Sequence, residues 1–354
     1  MKILVLEPYY GGSHKYFLEN LAQNLPFQFD FLSLPARKWK WRMRLSAPYY
    51  AHKLADMGEY DRILCSSFVD VATFRSLAPA WVNKTPILTY FHENQFAYPI
   101  QMNDERDFHF ALTNVMTAMA SDQVAFNSEY NLQSFLAGAG VLLKKTPDMK
   151  LVHFVDSIKR KATILFPGIN FTNIDMAPEA DVHADCPVLL WNHRWEHDKN
   201  PELFFTTLMD FSRQGLDFKL VVAGQSFRSK PPIFKKAART LKKHILQYGY
   251  ITARKEYYKW LKSSDHVIST AEHEFYGISI IEAVRAGCRP ILPLKLSYPE
   301  LFPEQYLYEE DSFATALEQT LNKERLPPQK AKDLTDRFSW NKLAPAYHDW
   351  LLCI

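Results

Sequence analysis

The chain has 354 residues, 47% hydrophobic and 23% charged, with a formal net charge of +3. That length is enough for two domains of ordinary size, and the composition excludes a disordered or low-complexity protein. Cys65, Cys186, Cys288 and Cys353 show no C-x2-C spacing, which excludes a disulfide framework and a zinc site; no apolar run reaches the length of a signal peptide or membrane span, so a reduced, cytoplasmic protein is expected.

In chain order, residues 2–6 (KILVL) read as a buried strand, followed by the polar loop from Glu7 to His14 and an amphipathic helix through Tyr16, Phe17, Leu18, Leu21 and Leu25. Strand, paired-glycine loop and helix open a doubly wound sheet. Gly11 and Gly12 let the backbone approach a ligand, Ser13 is the expected helix N-cap and His14 follows it. A tight turn with no ligand is an equal alternative for this loop alone. The loop is not G-x-G-x-x-G, so a nicotinamide enzyme is not read here.

A strand over Phe27–Leu32 leads to Arg37-Lys38-Trp39-Lys40-Trp41-Arg42-Met43-Arg44, five basic residues in eight. Basic runs are usually solvated faces, but two exposed indoles among them point to something to stack on or insert into. Base stacking with phosphate contacts fits RNA; an interfacial helix on anionic lipid fits the composition equally. Strands over Asp61–Ser66 and Pro86–Tyr90 follow, the second delivering His92, Glu93, Asn94 and Gln95 to the carboxyl edge of the sheet. A histidine there suits sugar binding or proton transfer. A helix over 104–120, a strand over Val124–Phe126, a helix capped by Asn127-Ser128 and a strand over Ile164–Phe166 complete a parallel sheet.

After a proline-bearing linker, a second sheet begins at Val188–Trp191 and runs into Asn192-His193-Arg194-Trp195-Glu196-His197-Asp198-Lys199-Asn200, with a helix opening at Pro201. Arg194, a planar fork, and Lys199, a point charge, are suited to a diphosphate. Strands over Phe218–Ala223 and near Gln247–Ile251 follow, with Gly224 and Tyr250 beside them and a second basic stripe, Lys235 to Lys243, read as a solvated face. Val267 and Ile268 then form a short strand before Thr270–Glu274 and a helix from Gly277 to Gly287. The N–H groups of Gly277, Ile278 and Ser279 sit at the positive end of that helix and suit a phosphate. Glu274 and Glu282, with seven residues between them, are acceptor-only groups suited to sugar hydroxyls. A helix over Phe313–Leu321 and an amphipathic terminal helix over Ser339–Leu352 close the chain.

Glu274 to Glu282 within HEFYGISIIEAVRAG resembles the donor motif of retaining glycosyltransferases of family 4, and the Gly-Gly loop, His92, the Arg194/Lys199 loop and Gly249-Tyr250 follow in that family's order. The segments YYGGSHKYF, LPARKWKWR, YFHENQFAYP, ERDFHFALTN, WNHRWEHDKNPE, STAEHEFYGISIIEAV and YPELFPEQYLY resemble more closely the tRNA-queuosine mannosyltransferases. The resemblance implies an α/β fold of the GT-B type, two Rossmann-like doubly wound domains facing a central cleft. Residues 1–170 would form the acceptor-side domain, 171–187 a linker and 188–335 the nucleotide-sugar domain, with 336–354 a helix packing back across both.

The implied reaction moves mannose from GDP-mannose to the queuosine of tRNA-Asp with retention. His92, Arg194, Lys199 and Glu274 would be catalytic. Donor contacts would fall to Gly11, Gly12, Gly224, Tyr250, Ile251, Gly277, Ile278, Ser279 and Glu282. Ser13, His14, Arg37, Lys38, Trp39, Lys40, Trp41, Arg42, Glu93, Asn94 and Gln95 would serve the acceptor or RNA. With no Asp-x-Asp motif and two cations facing the phosphates, no metal or other cofactor is expected. Substituting Lys199 by alanine is expected to collapse turnover with the fold intact. The runner-up is a membrane-associated glycosyltransferase acting on a lipid or polysaccharide; a non-catalytic sugar-nucleotide or RNA binder is disfavoured by the leaving-group cations.

Overall fold

The computed structural model describes residues 1–98, 108–180, 185–226 and 230–353. The chain divides into two compact units, one of residues 1–168 with the segment from 340 onward, the other of residues 169–339. In the first unit six strands lie in the order β2-β1-β3-β4-β5-β6: β1 Lys2–Tyr10, β2 Gln28–Pro35, β3 Arg62–Ser66, β4 Ile87–Phe91, β5 Gln123–Phe126 and β6 Ala162–Ile164. Every pairing is parallel. Strands covered on both faces read as near-continuous apolar runs, and the interiors of β1, β3 and β4 are buried throughout.

The second unit repeats the plan in the order β12-β11-β10-β7-β8-β9: β7 Val188–Trp191, β8 Lys219–Ala223, β9 Ile245–Gly249, β10 His266–Ile268, β11 Arg289–Pro293 and β12 Leu307–Tyr308, again all parallel. In each sheet the order reverses between two adjacent strands, β1 and β3 in the first, β7 and β10 in the second. Open parallel sheets bind ligands at the carboxyl ends of such a pair, where successive crossovers leave on opposite faces and open a crevice. Among the described residues no helix is long and apolar enough to cross a membrane.

The helix Trp340–Leu352 packs within the first unit. Trp340 lies over Gly168, where an added Cβ would come within 2.4 Å of the indole, and beside Phe17 and Tyr347. The Tyr347 hydroxyl lies 3.0 Å from the Phe166 carbonyl and 3.2 Å from that of Leu165, tying the helix to the end of β6. Within the expected linker, Thr172–Asp175 forms a helical turn, and Arg285 holds Asp175 by two contacts of 2.7 Å. The helix expected over 104–120 is seen as Phe108–Ala120, its first residues lying outside those described.

Replacing Trp340 by alanine removes the indole that covers Gly168. The expected cost is about 3–5 kcal/mol in urea unfolding of the first unit, read by a probe in that unit.

Candidate active site

In the second unit, the loop after β7 and the loop after β10 converge at the point where strand order reverses. Asn200 caps the helix Pro201–Arg213 through Leu203 N–H at 3.2 Å, and its positive φ turns the chain so that Lys199 points inward. Lys199 is only 5% exposed. Its ammonium donates to the His273 carbonyl at 2.5 Å and to Glu274 Oε2 at 3.3 Å, with Asp198 Oδ2 3.2 Å away. The two loops are also sewn by backbone: Glu272 N–H and His273 N–H both donate to the Asp198 carbonyl, and the Thr270 hydroxyl donates to the carbonyls of Lys199 and Asn200.

The electrostatics follow from this packing. Burial raises the Glu274 carboxyl, but the Lys199 charge beside it outweighs this and holds it below the ordinary carboxylate value. His193 and His273 are pushed down to about 4, first by burial and then by the Lys199 charge, and stand neutral. Arg194 sits at the rim, its side chain 48% exposed and paired with Glu196 at 2.9 Å. With the ammonium buried between two carboxylates, removing it is expected to cost stability as well as turnover.

Gly277 has φ 101° and opens the helix Ile278–Arg285, so the N–H groups at its first turn have no intrahelical acceptor. One turn on, Glu282 is buried; its Oε1 makes no hydrogen bond among the described residues, and the Arg254 guanidinium lies 3.7 Å away. Burial pushes this carboxyl up, with Arg254 pulling it back. Asn192 braces the same turn, donating to the Ser279 carbonyl at 2.8 Å and to the Tyr257 hydroxyl at 3.1 Å. Tyr250 is exposed and Ile251 half-buried just past β9. Gly224 is required for packing: with φ 146°, a Cβ there would lie 1.8 Å from the His193 carbonyl oxygen. It sets the course of the Arg194 loop, a role that its place after a strand did not reveal.

The first unit gathers a second group at the carboxyl ends of β1 and β4. Glu7, His14 and His92 are buried, and Glu93 is half-buried. His14 Nδ1 lies 3.1 Å from Glu7 Oε2 and its Nε2 3.3 Å from Glu93 Oε2. Its ring stacks on His92 with centroids 4.1 Å apart. Burial lowers the His14 pKa, but Glu7 and Glu93 outweigh it and raise it to about 10; burial and the His14 charge hold His92 well below its ordinary value. Glu7, His14 and His92 each offer one ligand atom within 4.8 Å of the others. They do not fit a metal as arranged, because both His14 nitrogens are already committed and stacked rings send their lone pairs side by side.

Of the remaining expected residues, Ser13 lies exposed within the helix Gly12–Asn24 and does not cap it; Gly11 is the N-cap, with Ala36 filling the space of a Cβ on it. Asn94 is a brace: its amide nitrogen donates to Asn131 and Ser134, and its oxygen accepts from the N–H groups of Phe96 and Ala97. Gln95 is held through its backbone by Asn114. Asn127 and Asn131 hold the carbonyls of His92 and Phe91. Asn114, Asn127 and Asn131, like Glu7, Asn192 and Arg254, were not read as site residues, since only folding brings them to the strand ends.

The basic run opens the helix Trp39–Lys53, with Arg37, Lys38, Lys40 and Arg44 exposed and Arg42 half-buried. Only one of its indoles is free to meet a partner. Trp41 is 66% exposed, whereas Trp39 packs against Phe110 at 5.2 Å and near Phe68, which corrects the expectation of two exposed tryptophans.

Two parallel six-stranded sheets with helices, each carrying its charged loops at a strand-order reversal, define a GT-B glycosyltransferase fold. Solved structures agree on the fold: Anabaena HepE in complex with UDP (TM-score 0.71, 13% identity, all of both chains) and sucrose-phosphate synthase from Thermosynechococcus elongatus (TM-score 0.73, 13% identity, 99% of this chain and 98% of that one). The tRNA-queuosine alpha-mannosyltransferase N-terminal family matches residues 2–169, and glycosyl transferases group 1 matches 178–335. A Drosophila melanogaster tRNA-queuosine alpha-mannosyltransferase is 36% identical over 98% of this chain and 95% of its own length. The chain belongs to the tRNA-queuosine alpha-mannosyltransferase family.

Removing the Lys199 charge with Lys199→Met strands Asp198 and Glu274 together. A loss of about 3–5 kcal/mol is expected in urea unfolding, partly restored by adding Glu274→Gln. Stability also has a pH window. The His14 contribution is complete below about 6.5, the unfolded value, and is lost as pH rises through about 10. His193 and His273, neutral when folded, cost stability as pH falls from about 6.5 toward 4. The urea midpoint is therefore expected to be higher at about pH 7.5 than at about pH 4.5 or 10.5.

Proposed function

We propose that this chain transfers mannose from GDP-mannose to the queuosine nucleoside of tRNA-Asp with retention of anomeric configuration. The observation that carries the reading is the meeting of Lys199 and Glu274 at the strand-order reversal of the second unit, next to an open helix N-terminus. The Drosophila relative's name supplies mannose and queuosine.

In this reading the second unit holds the donor. Arg194 and Lys199 face the diphosphate together with the N–H groups of Gly277, Ile278 and Ser279. Glu274 accepts from hydroxyls of the sugar, and Glu282, whose buried Oε1 lacks a hydrogen bond, accepts from the ribose. Negative charge grows on the diphosphate as its bond to C1 breaks, and fixed positive charge already in place lowers that barrier without reorganising. The acceptor oxygen forms the new bond to C1 on the face the diphosphate leaves, its proton passing to the departing phosphate oxygen, so no enzyme nucleophile is used. Neither a metal nor another cofactor enters the step.

The first unit serves the acceptor, through the group at the ends of β1 and β4 and the helix Trp39–Lys53. Exposed Trp41 among Arg37, Lys38 and Lys40 suits an unstacked base between phosphates. A second reading has its own observation: Trp41, Leu45 and Tyr49 are all exposed at helical spacing, an apolar stripe flanked by cations that fits an anionic lipid surface. Retention on tRNA with a steep salt dependence supports the first, and pelleting with anionic liposomes the second.

The test is mass spectrometry of nucleosides from queuosine-containing tRNA after incubation with GDP-mannose and the protein. A hexose-sized gain on queuosine is expected, falling by about 100-fold or more in Glu274→Gln. Hydrolysis of GDP-mannose with no gain on queuosine would move the acceptor to lipid or glycan.

A further inference from the structure

The donor reading leaves unused a buried charged group of the first unit, His14. His14 bonds a carboxylate oxygen through each ring nitrogen, to Glu7 at 3.1 Å and to Glu93 at 3.3 Å. Ionised carboxylates only accept, so both ring nitrogens carry hydrogen and the ring is an imidazolium. Around it, Tyr50 on the helix Trp39–Lys53, Cys65 on β3 and Tyr90 on β4 are kept protonated by burial, His92 is kept neutral by burial and by His14, the Tyr9 ring packs edge-on against His14, and the Arg42 and Arg75 charges act on Tyr50 and Cys65. Within the cluster, one imidazolium therefore faces two carboxylates.

Its two ends differ. Glu7 is the closed end: Oε2 takes His14, and Oε1 accepts from Tyr9 N–H at 2.7 Å and lies 3.2 Å from the Ser66 hydroxyl. Glu93 is the open end, its side chain 15% exposed, with His14 the one side-chain partner of its carboxylate among the described residues. Beside it, the His92 ring is wedged edge-on to Tyr90 and Phe17 and stacked on His14, fixed by rings and not by a hydrogen bond to either nitrogen among the described residues. A carboxylate accepts; a neutral imidazole both accepts and donates. Adjacent in the chain and locked by one imidazolium, they match a pair of neighbouring hydroxyls.

We propose that Glu93 and His92 bind the acceptor through two adjacent hydroxyls, a vicinal diol, and that Glu7 and His14 are positioning residues holding Glu93 in place. This deepens the acceptor assignment above and rests on it. One diol hydroxyl donates to Glu93 and the other meets the His92 nitrogen, leaving an oxygen lone pair for the new glycosidic bond. A glutamine at 93 is isosteric but presents an amide in place of the charge. A glutamine at 7 leaves the diol-binding groups untouched but deprives His14 of one counter-charge, so the ring releases its proton at lower pH and stops holding Glu93.

Steady-state transfer from GDP-mannose to queuosine-containing tRNA, with Glu93→Gln and Glu7→Gln against wild type, tests this. For Glu93→Gln the acceptor KM is expected to rise about tenfold or more, the loss of a charged hydrogen bond, while the donor KM moves far less. For Glu7→Gln transfer is expected near wild type at about pH 6 and to fall away by about pH 9, where wild type with its intact imidazolium holds. A donor KM that rises as much as the acceptor KM, or a Glu7→Gln profile parallel to wild type, overturns the proposal. If Glu7→Gln does not fold, the KM split in Glu93→Gln decides alone. If wild type modifies no tRNA, the acceptor assignment fails separately. The diol site is then judged by saturation-transfer NMR with free queuosine nucleoside. A transfer signal on the diol protons that disappears in Glu93→Gln supports it; equal signals in both proteins, or no signal in wild type, overturn it.

Discussion

Lys199 is the constraint around which the second unit is built. An ammonium removed from water is costly unless neighbours replace its hydration, and here a carbonyl and two carboxylates do so. Those groups come from two loops far apart in sequence, so satisfying one buried charge fixes the loop after β7 against the loop after β10. The same pairing holds Glu274 below the ordinary carboxylate value, and burial, with the Lys199 charge second, keeps His193 and His273 neutral. A folding contact and, in our reading, the donor-side charge thus reside in one place, so loss of the charge is expected to act on both.

The first unit solves the same problem with a different cation. There the buried cation is an imidazolium, and its two carboxylates come from β1 and from the turn after β4. Asparagines 94, 114, 127 and 131 hold the backbone of that turn, so the site rests on side-chain amides where no regular ladder reaches. Both sheets therefore place fixed charge at their carboxyl edge. The second faces anionic leaving-group chemistry in our reading, and the first faces hydroxyls.

The parallel architecture was legible because buried strands of this type are short apolar runs bounded by polar loops; Val188–Trp191 and the helix Phe313–Leu321 have the bounds their sequence implied. The E-x7-E pair and the Lys199 loop stood out in the sequence through their place after strands, where open parallel sheets bind ligands, and through their resemblance to a donor motif. Other features were hidden. β1 runs on to Tyr10, past the end of its apolar residues, so Glu7 read as a loop residue while it is buried in the strand. Trp39 and Trp41 look alike in a basic run, and only the position of Phe110 separates the packed ring from the exposed one. Asn94 looked like substrate chemistry in a dense polar loop, and its partners lie 37 to 40 residues on.

The central claim is that the chain's own positive charge, Lys199 with Arg194 and the open helix at Gly277, carries the departing diphosphate. The most direct measurement is the initial rate of hexose transfer from GDP-mannose to queuosine-containing tRNA after exhaustive chelation of divalent ions. The rate is tracked as magnesium or manganese is restored, with the tRNA kept folded by monovalent salt. The account predicts a rate unchanged by chelation and by either metal. A rate that vanishes on chelation and returns only with a divalent ion would contradict it.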